Sequence, residues 1–153
     1  MADSIIEQIV AAIKTGLEGI TIAGGYNQTI VEVVRPTRLG GFKPRDLLIV
    51  MDQQDPTLDE EAPHMFIQWI QPIAISVFVI SSDTSTAAID TRINTVRSDI
   101  EKCLRVDPTW SQLAIDTRIS AALYFPENEG GYSGITIIAD VIYRTLEDDP
   151  FSQ

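Results

Sequence analysis

The chain has 153 residues, of which 44% are hydrophobic and 22% are charged. Its 22 acidic residues outnumber its 11 basic residues, which gives a formal net charge of −11. This composition predicts one ordinary globular domain over residues 1–153, with a hydrophobic core of its own. The acidity argues against a protein that binds nucleic acid by its phosphates, because such binding requires clustered lysine and arginine.

The cysteine count and the terminal sequence indicate the compartment. Cys103 is the only cysteine, so no disulfide can form within the chain, as expected in a reducing compartment. No apolar run reaches the roughly 18 residues of a membrane span. The N-terminal residues 1–5 lack the basic start of a signal peptide. We therefore expect a protein that is made in the cytoplasm and has no membrane partner.

The first third of the chain predicts a helix and two short strands. Ser4 and Glu7 have the spacing of a capping box at the start of a helix over residues 4–18. Its apolar stripe consists of Ile6, Ile9, Ile13 and Leu17. β-Branched and apolar residues then predict strands over 28–34 and 47–51.

Two long connections carry opposite charge. The first, over residues 35–46, is basic and contains Arg35, Arg38, Lys43 and Arg45. The second, over residues 52–65, is acidic and contains Asp52, Asp55, Asp59, Glu60 and Glu61. Both exceed the usual connection of about 4–6 residues, and loops of this length are often binding elements. Two solvated loops without a role are the alternative.

The second half predicts a long strand, a helix and a hairpin. The strand covers residues 66–82 and should bend or lie at a sheet edge at Pro72, because proline donates no ladder hydrogen bond. The helix over 84–104 has one apolar stripe, formed by Ile89, Ile93, Val96, Ile100 and Cys103. A thiol on this stripe is expected to be buried and structural.

The C-terminal hairpin joins a strand over residues 117–125 to a strand that starts at Tyr132. Alternation predicts that Ile119, Ala121, Leu123 and Phe125 share one face of the first strand. In the second strand one face is apolar and carries Ile135, Ile137, Ala139, Val141 and Tyr143. The opposite face is mixed, so we expect a partner to cover part of it.

These elements predict an α+β fold. One antiparallel or mixed β-sheet, packed on one face by two α-helices and ending in a β-hairpin, buries every apolar stripe with the fewest layers.

Residues with catalytic or ligand-binding chemistry are sparse. His64 is the only histidine, so a two-histidine metal site is impossible within one chain. The sequence contains no Gly-x-Ser-x-Gly, Walker A or dinucleotide-binding pattern. The acidic cluster 59–61 lacks the glycine and the ligand spacing of a calcium loop. We expect no catalytic, cofactor-binding or metal-binding residues, and no enzyme activity.

The two tryptophans have different expected roles. Trp110 follows the second helix, where core packing or capping is expected. Trp69 lies between Ile67 and Pro72, near the acidic connection, and could equally anchor a neighbouring subunit, since aromatic residues are enriched at interface hot spots.

An ordered set of short segments is spread over nearly the whole length of the chain. The segments are 17–20 (Leu-Glu-Gly-Ile), 23–27 (Ala-Gly-Gly-Tyr-Asn), 73–80 (Ile-Ala-Ile-Ser-Val-Phe-Val-Ile), 100–104 (Ile-Glu-Lys-Cys-Leu), 107–109 (Asp-Pro-Thr), 114–118 (Ala-Ile-Asp-Thr-Arg), 143–145 (Tyr-Arg-Thr) and 149–150 (Asp-Pro). In this order the chain resembles the tail terminator (tail completion) proteins of long-tailed bacteriophages. The resemblance rests on the order and spacing of the segments, not on a single motif.

The resemblance implies a structural virion protein, made in the host cytoplasm. Such proteins form a hexameric ring that caps the tail tube, ends its polymerisation and joins the tail to the neck. The implied partners are further copies of the chain, the tail tube protein and a neck or head-completion protein. DNA would pass through the ring without specific binding, which a strongly negative channel favours. No cofactor is implied.

The charged connections supply hypotheses about interface residues. We expect the basic residues of the first connection, and Asp55, Asp59, Glu60 and Glu61 of the second, to contact a neighbouring subunit or the tube protein. Two alternatives stay open: another neck component, such as a head-completion or stopper protein, and a small intracellular binding or enzymatic domain with a ligand in the groove between sheet and helices.

Overall fold

A computed structural model describes residues 2–36, 42–60, 63–80, 86–126 and 130–153. Within these residues the chain forms two helices and six strands: α1 (Ile5–Glu18), β1 (Glu32–Val34), β2 (Leu48–Gln53), β3 (Thr57–Asp59), β4 (Phe66–Ile80), α2 (Thr86–Val106), β5 (Asp116–Phe125) and β6 (Tyr132–Leu146). None of the helices in this part of the chain is long and apolar enough to cross a membrane.

The strands form one mixed sheet in the order β1-β2-β4-β6-β5. β1 and β2 are parallel, whereas all other pairs are antiparallel. β4 and β6 pair along all 15 residues of each strand and form the centre of the sheet. The predicted α+β class, with one sheet, two helices and a C-terminal hairpin, is confirmed.

The buried face of the two central strands, β4 and β6, explains where the helices pack. Alternate residues of β4 and β6 point to one face and are buried there, among them Ile73, Ile75, Val77, Ile135 and Ile137. They form one core cluster with Ile9, Ile13 and Leu17 of α1 and with Val96, Ile100 and Leu104 of α2. Both helices therefore cover the same face. We call the opposite face, which carries the other half of each strand, the open face.

β2 and β3 are two stretches of a single interrupted strand. β2 ends with Gln53 opposite Ile73, and β3 begins with Thr57 opposite Ile70, so three residues stand across from two. The interruption falls beside Pro72, which has no N–H to donate; its carbonyl accepts a 2.9 Å hydrogen bond from the Gln54 amide. β4 itself continues through Pro72, so the proline interrupts the neighbouring strand. The acidic connection predicted over 52–65 thus contains a strand that its composition did not indicate.

A β-bulge at Ser120 changes which residues of β5 share a face. Ile119 pairs with Ala139 on the helix side, whereas Ala121 pairs with Ile138 on the open face. One extra residue reverses the alternation from that point onward. The prediction that Ile119 shares a face with Ala121, Leu123 and Phe125 was therefore wrong, because a bulge leaves no signal in the pattern of apolar residues.

The turn between α2 and β5 is left-handed. Trp110, Ser111 and Gln112 have φ values of 50°, 60° and 71°. Asp107 holds this turn, since one carboxylate oxygen accepts from the Thr109 amide (3.0 Å) and the other from the Ser111 amide (2.7 Å). The Trp110 ring is buried and its Nε1 donates to Thr117 Oγ1 at 2.8 Å. Core packing of Trp110, as predicted, is confirmed.

Asp99 joins α2 to the loop that follows α1. Its side chain is 1% exposed, and its carboxylate accepts hydrogen bonds from the Gln28 amide (2.8 Å), the Asn27 amide (3.0 and 3.1 Å) and the Asn27 side chain (3.0 Å). A buried carboxylate is tolerated only when it is hydrogen-bonded in this way. Asp99 therefore fixes the path of the chain from α1 to β1.

Replacing Asp99 should destabilise the fold strongly. Asp99→Ala leaves two backbone N–H groups without their acceptor, so we expect a loss of about 3 kcal/mol in the free energy of unfolding. Urea denaturation followed by circular dichroism measures this loss. Asp90→Ala, at an exposed position of the same helix, is the matched control and should change stability by less than about 0.5 kcal/mol. Equal losses in the two variants would contradict the assigned role of Asp99.

Candidate assembly surfaces

Arg35, the first residue of the basic connection, is paired within the chain. Its Nη1 and Nη2 donate to the two carboxylate oxygens of Glu7 at 2.6 and 3.0 Å, and Nη2 also reaches Gln53 Oε1 at 3.3 Å. The hydrogen bond from Arg35 lowers the pKa of Glu7 below its ordinary value, against a smaller opposing effect of burial. Arg35 thus links the start of α1 to the end of β2, and this contact does not require a neighbouring subunit.

Lys43 and Arg45 are the further basic residues of this connection that the structure describes. Lys43 is exposed, and the Arg45 guanidinium lies 3.8 Å from the Glu32 carboxylate, with about half of each side chain exposed. The ring of Phe42 contacts that of Phe78 on the open face at 5.5 Å between centroids. Phe42 therefore packs on the open face. Arg38 lies outside the described residues.

The acidic connection lies along one edge of the sheet. Asp55 and Glu60 are exposed, and the Asp59 carboxylate accepts from Gln68 Nε2 at 2.5 Å, within the β3–β4 hairpin. Glu61 lies outside the described residues. The ion pairs of Arg35 and Arg45 are with Glu7 and Glu32 and not with a described acidic residue of this segment. The expected contacts of these residues with other molecules stay predictions.

Trp69 packs against the hydrophobic core of its own chain and is partly buried. It stands across from Tyr143 on the helix side of the sheet, and burial raises the pKa of that tyrosine. Packing within the chain thus accounts for the buried part of the indole. Its predicted role as an anchor for a neighbouring subunit stays a prediction.

His64 and Cys103 are the remaining side chains with metal-binding or nucleophilic chemistry considered from the sequence. His64 borders a shallow groove at the tip of the β3–β4 hairpin, together with Asp59, Glu60 and Glu147. Among the residues that the structure describes, no group of three or more His, Cys, Asp or Glu side chains is placed to hold a metal ion. Cys103 is buried, and burial raises the pKa of its thiol, which lowers its reactivity as a nucleophile.

Aromatic rings cover one end of the open face. The rings of Phe42, Phe78 and Phe125 form a row, with centroid distances of 5.5 and 5.3 Å. Gly134 lies beneath it: a Cβ atom there would stand 2.6 Å from Cζ of Phe125 and 1.9 Å from the carbonyl oxygen of Val77. Only glycine allows so close an approach. The glycine inside a strand, with phenylalanines on both neighbouring strands, was the sequence signal for this packing.

The middle of the open face is mixed, and neither helix covers it. Ile70, Ile138 and Ile142 are half-buried there; along β6, Asp140 lies between Ile138 and Ile142, and Arg144 follows Ile142. The hydroxyl groups of Ser76 and Thr136 are hydrogen-bonded to each other at 2.8 Å on the same face. Three further residues on the open face are buried without belonging to the core cluster of the helix side: Leu48, Val50 and Ala74. The mixed character expected of this face from the sequence of β6 is confirmed, whereas the expectation that a partner covers part of it stays a prediction.

Neither a scan against protein-family models nor a search of curated proteins gives a match for this chain.

The Glu7–Arg35 pair should make stability depend on pH. The folded-state pKa of Glu7 is lowered, so the pair stabilises the protein above the pKa of the unfolded chain, and this contribution disappears as the pH falls through the lower folded-state value. Because both side chains are about one-third or more exposed, we expect a coupling below about 1 kcal/mol.

A double-mutant cycle of Glu7→Gln and Arg35→Gln isolates this coupling from the other carboxylates that titrate. Urea denaturation should show it at pH 7 and should show none at pH 2. A coupling that persists undiminished at the acidic pH would rule out the ion pair as its source.

Proposed function

We propose that the chain is a structural virion protein of a long-tailed bacteriophage, a tail terminator. It forms a ring, hexameric by resemblance to that family, which caps the tail tube, ends its polymerisation and joins the tail to the neck. Its partners are further copies of itself, the tube protein and a neck protein. The protein has no enzymatic role in this proposal and requires no cofactor.

The observation that carries the proposal is the one-sided burial of the central sheet. The α1 and α2 helices cover one face of β4 and β6, while Ile138 and Ile142 lie half-buried on the open face, which neither helix covers. Apolar surface with charged residues around it is typical of contact with another protein. A domain with no cluster of catalytic groups in its described part, and with such a face, fits a component of an assembly better than an enzyme.

Charge supports the proposal independently. A net charge of −11 per chain gives a ring of several copies a strongly negative surface. Double-stranded DNA would be repelled by such a channel and would slide without binding. This property suits a passage for DNA and is unfavourable for a DNA-binding protein.

Electron microscopy of tails from particles that lack this protein tests the proposal directly. Without a terminator the tube should continue to polymerise, so we expect tubes of uncontrolled length, and the chain supplied in trans should restore a uniform length. Finished tails of normal length beside leaking heads would assign the protein to the neck as a stopper. Normal tails on intact particles would reject a role in the virion.

Substitution on the open face tests whether that face contacts a partner. Ile138 is already half-buried, so a partner would remove only the remaining exposed part of its side chain from water, which contributes about 0.5–1 kcal/mol; Ile138→Gln should therefore weaken binding at least about threefold and lower the fraction of tubes that end at normal length. Ile22→Gln, at a loop residue that is 65% exposed, is the control and should complement fully. Thermal unfolding of both variants separates loss of contact from loss of fold, and full complementation by a folded Ile138→Gln would exclude the open face.

A further inference from the structure

The two outer edges of the sheet differ in a way that bears on how copies of the chain join. One edge is β5, which pairs with β6 alone among the described strands and leaves the backbone groups on its outer side without a strand partner. On the opposite side of the sheet there are two edge strands: β1, which pairs with β2 alone, and β3, which pairs with β4 alone. We call the outer side of residues 54–60, which contains β3, the acidic edge. Unpaired strand edges are templates for pairing with another chain.

Each edge carries exposed apolar side chains beside its backbone groups. On β5, Leu123 is 61% exposed and Tyr124 is 56% exposed; on the acidic edge, Leu58 is 61% exposed. An edge that is kept away from other strands usually carries lysine, proline or inward-pointing charge. β5 has one bulge, at Ser120, and one basic residue, Arg118, as its only such features.

Charge distinguishes the possible pairings. The acidic edge contains Asp55, Asp59 and Glu60 and no basic residue, so it would repel a second copy of itself. On β5 the Arg118 side chain is 70% exposed, with the carboxylate of Asp116 2.8 Å from its Nε. Of the three described edge strands, β5 alone contains a basic residue, because β1 and β3 contain none.

Strand direction agrees with this combination. β6 is antiparallel to both β4 and β5, so β5 runs in the same direction as β4. β3 is antiparallel to β4 and therefore also to β5. Rotation about an axis parallel to the strands places a second copy beside the first without reversing its strands. The acidic edge of the second copy then lies antiparallel to β5 of the first. Repeating the same rotation continues the sheet from copy to copy, and a rotation that divides a full turn evenly gives a closed ring.

We propose that copies of this chain join edge to edge, with β5 of one copy antiparallel to the acidic edge of the next. Main-chain hydrogen bonds supply the pairing, as in β-strand addition. Leu123 and Leu58 lose exposed surface, and Arg118 faces the carboxylates of the neighbour. This inference rests on the proposed ring and names the surface that forms it.

Charge reversal on the two edges tests the pairing in solution. Native mass spectrometry of the full chain should show multimers for the wild type. Arg118→Glu alone and Asp55→Lys with Glu60→Lys should each reduce the multimer at least tenfold. The variant that combines all three substitutions, and an equal mixture of the two reversed proteins, should both reassemble. Arg105→Glu, at an exposed position of α2, is the control and should assemble like the wild type.

Hydrogen exchange at the β5 amides separates strand pairing from contact through side chains. In the multimer the outward-facing amides of β5 should exchange at least tenfold more slowly than in the Arg118→Glu monomer. Rapid exchange in an intact multimer would overturn strand addition. A wild type that remains monomeric up to millimolar concentration would overturn the pairing as a property of the chain.

The outcomes also distinguish this inference from the function on which it rests. If Arg118→Glu disrupts assembly while Asp55→Lys with Glu60→Lys does not, β5 pairs with itself about a twofold axis and the proposed combination of edges is wrong. If neither reversal changes the multimer, and tubes lacking the protein are still overlong, termination stands and the ring uses another surface. Tubes of normal length would reject termination, whatever the edges do.

Discussion

The antiparallel pairing of β4 with β6 is the constraint on which the rest of the structure depends. Each strand contributes 15 residues to the ladder; β2, β3 and β5 pair directly with one of the two strands, and α2 contacts both. Because side chains alternate along a strand, the two strands present one continuous apolar stripe on the helix side and a mixed set of side chains on the open face. α1 and α2 bury this stripe, and the apolar residues they remove from water supply most of the favourable free energy of folding.

The helices bury one face of the sheet, and the open face is covered only in part. At one end Phe42 packs on Phe78. At the middle, Ile138 and Ile142 lie on either side of Asp140 along β6, and neither helix covers them. A domain of this size can form a two-layer fold with a core of its own and still present apolar surface. The open face is therefore the surface on which we expect a partner to bind.

The elements with clear periodicity could be predicted from the sequence, because their side chains respond to a single neighbouring layer. The Ser4 cap and the stripe of α1, the stripe of α2 and the apolar face of β6 all follow from spacing. The bulge at Ser120 and the strand β3 could not be predicted in this way. The bulge and β3 depend on the register of pairing with a neighbouring strand, whose residues lie about 10–20 positions away along the chain.

The candidate surfaces divide in the same way. The opposite charges of the two connections are a property of the sequence itself, and so is the negative charge of the whole chain. That Arg35 is paired with Glu7, that Asp99 holds the loop at Asn27, and that the acidic segment lies along a free sheet edge were decided only by the tertiary structure. Composition and periodicity act over a few residues, whereas ion pairs, buried carboxylates and sheet edges depend on which distant segments the fold brings together.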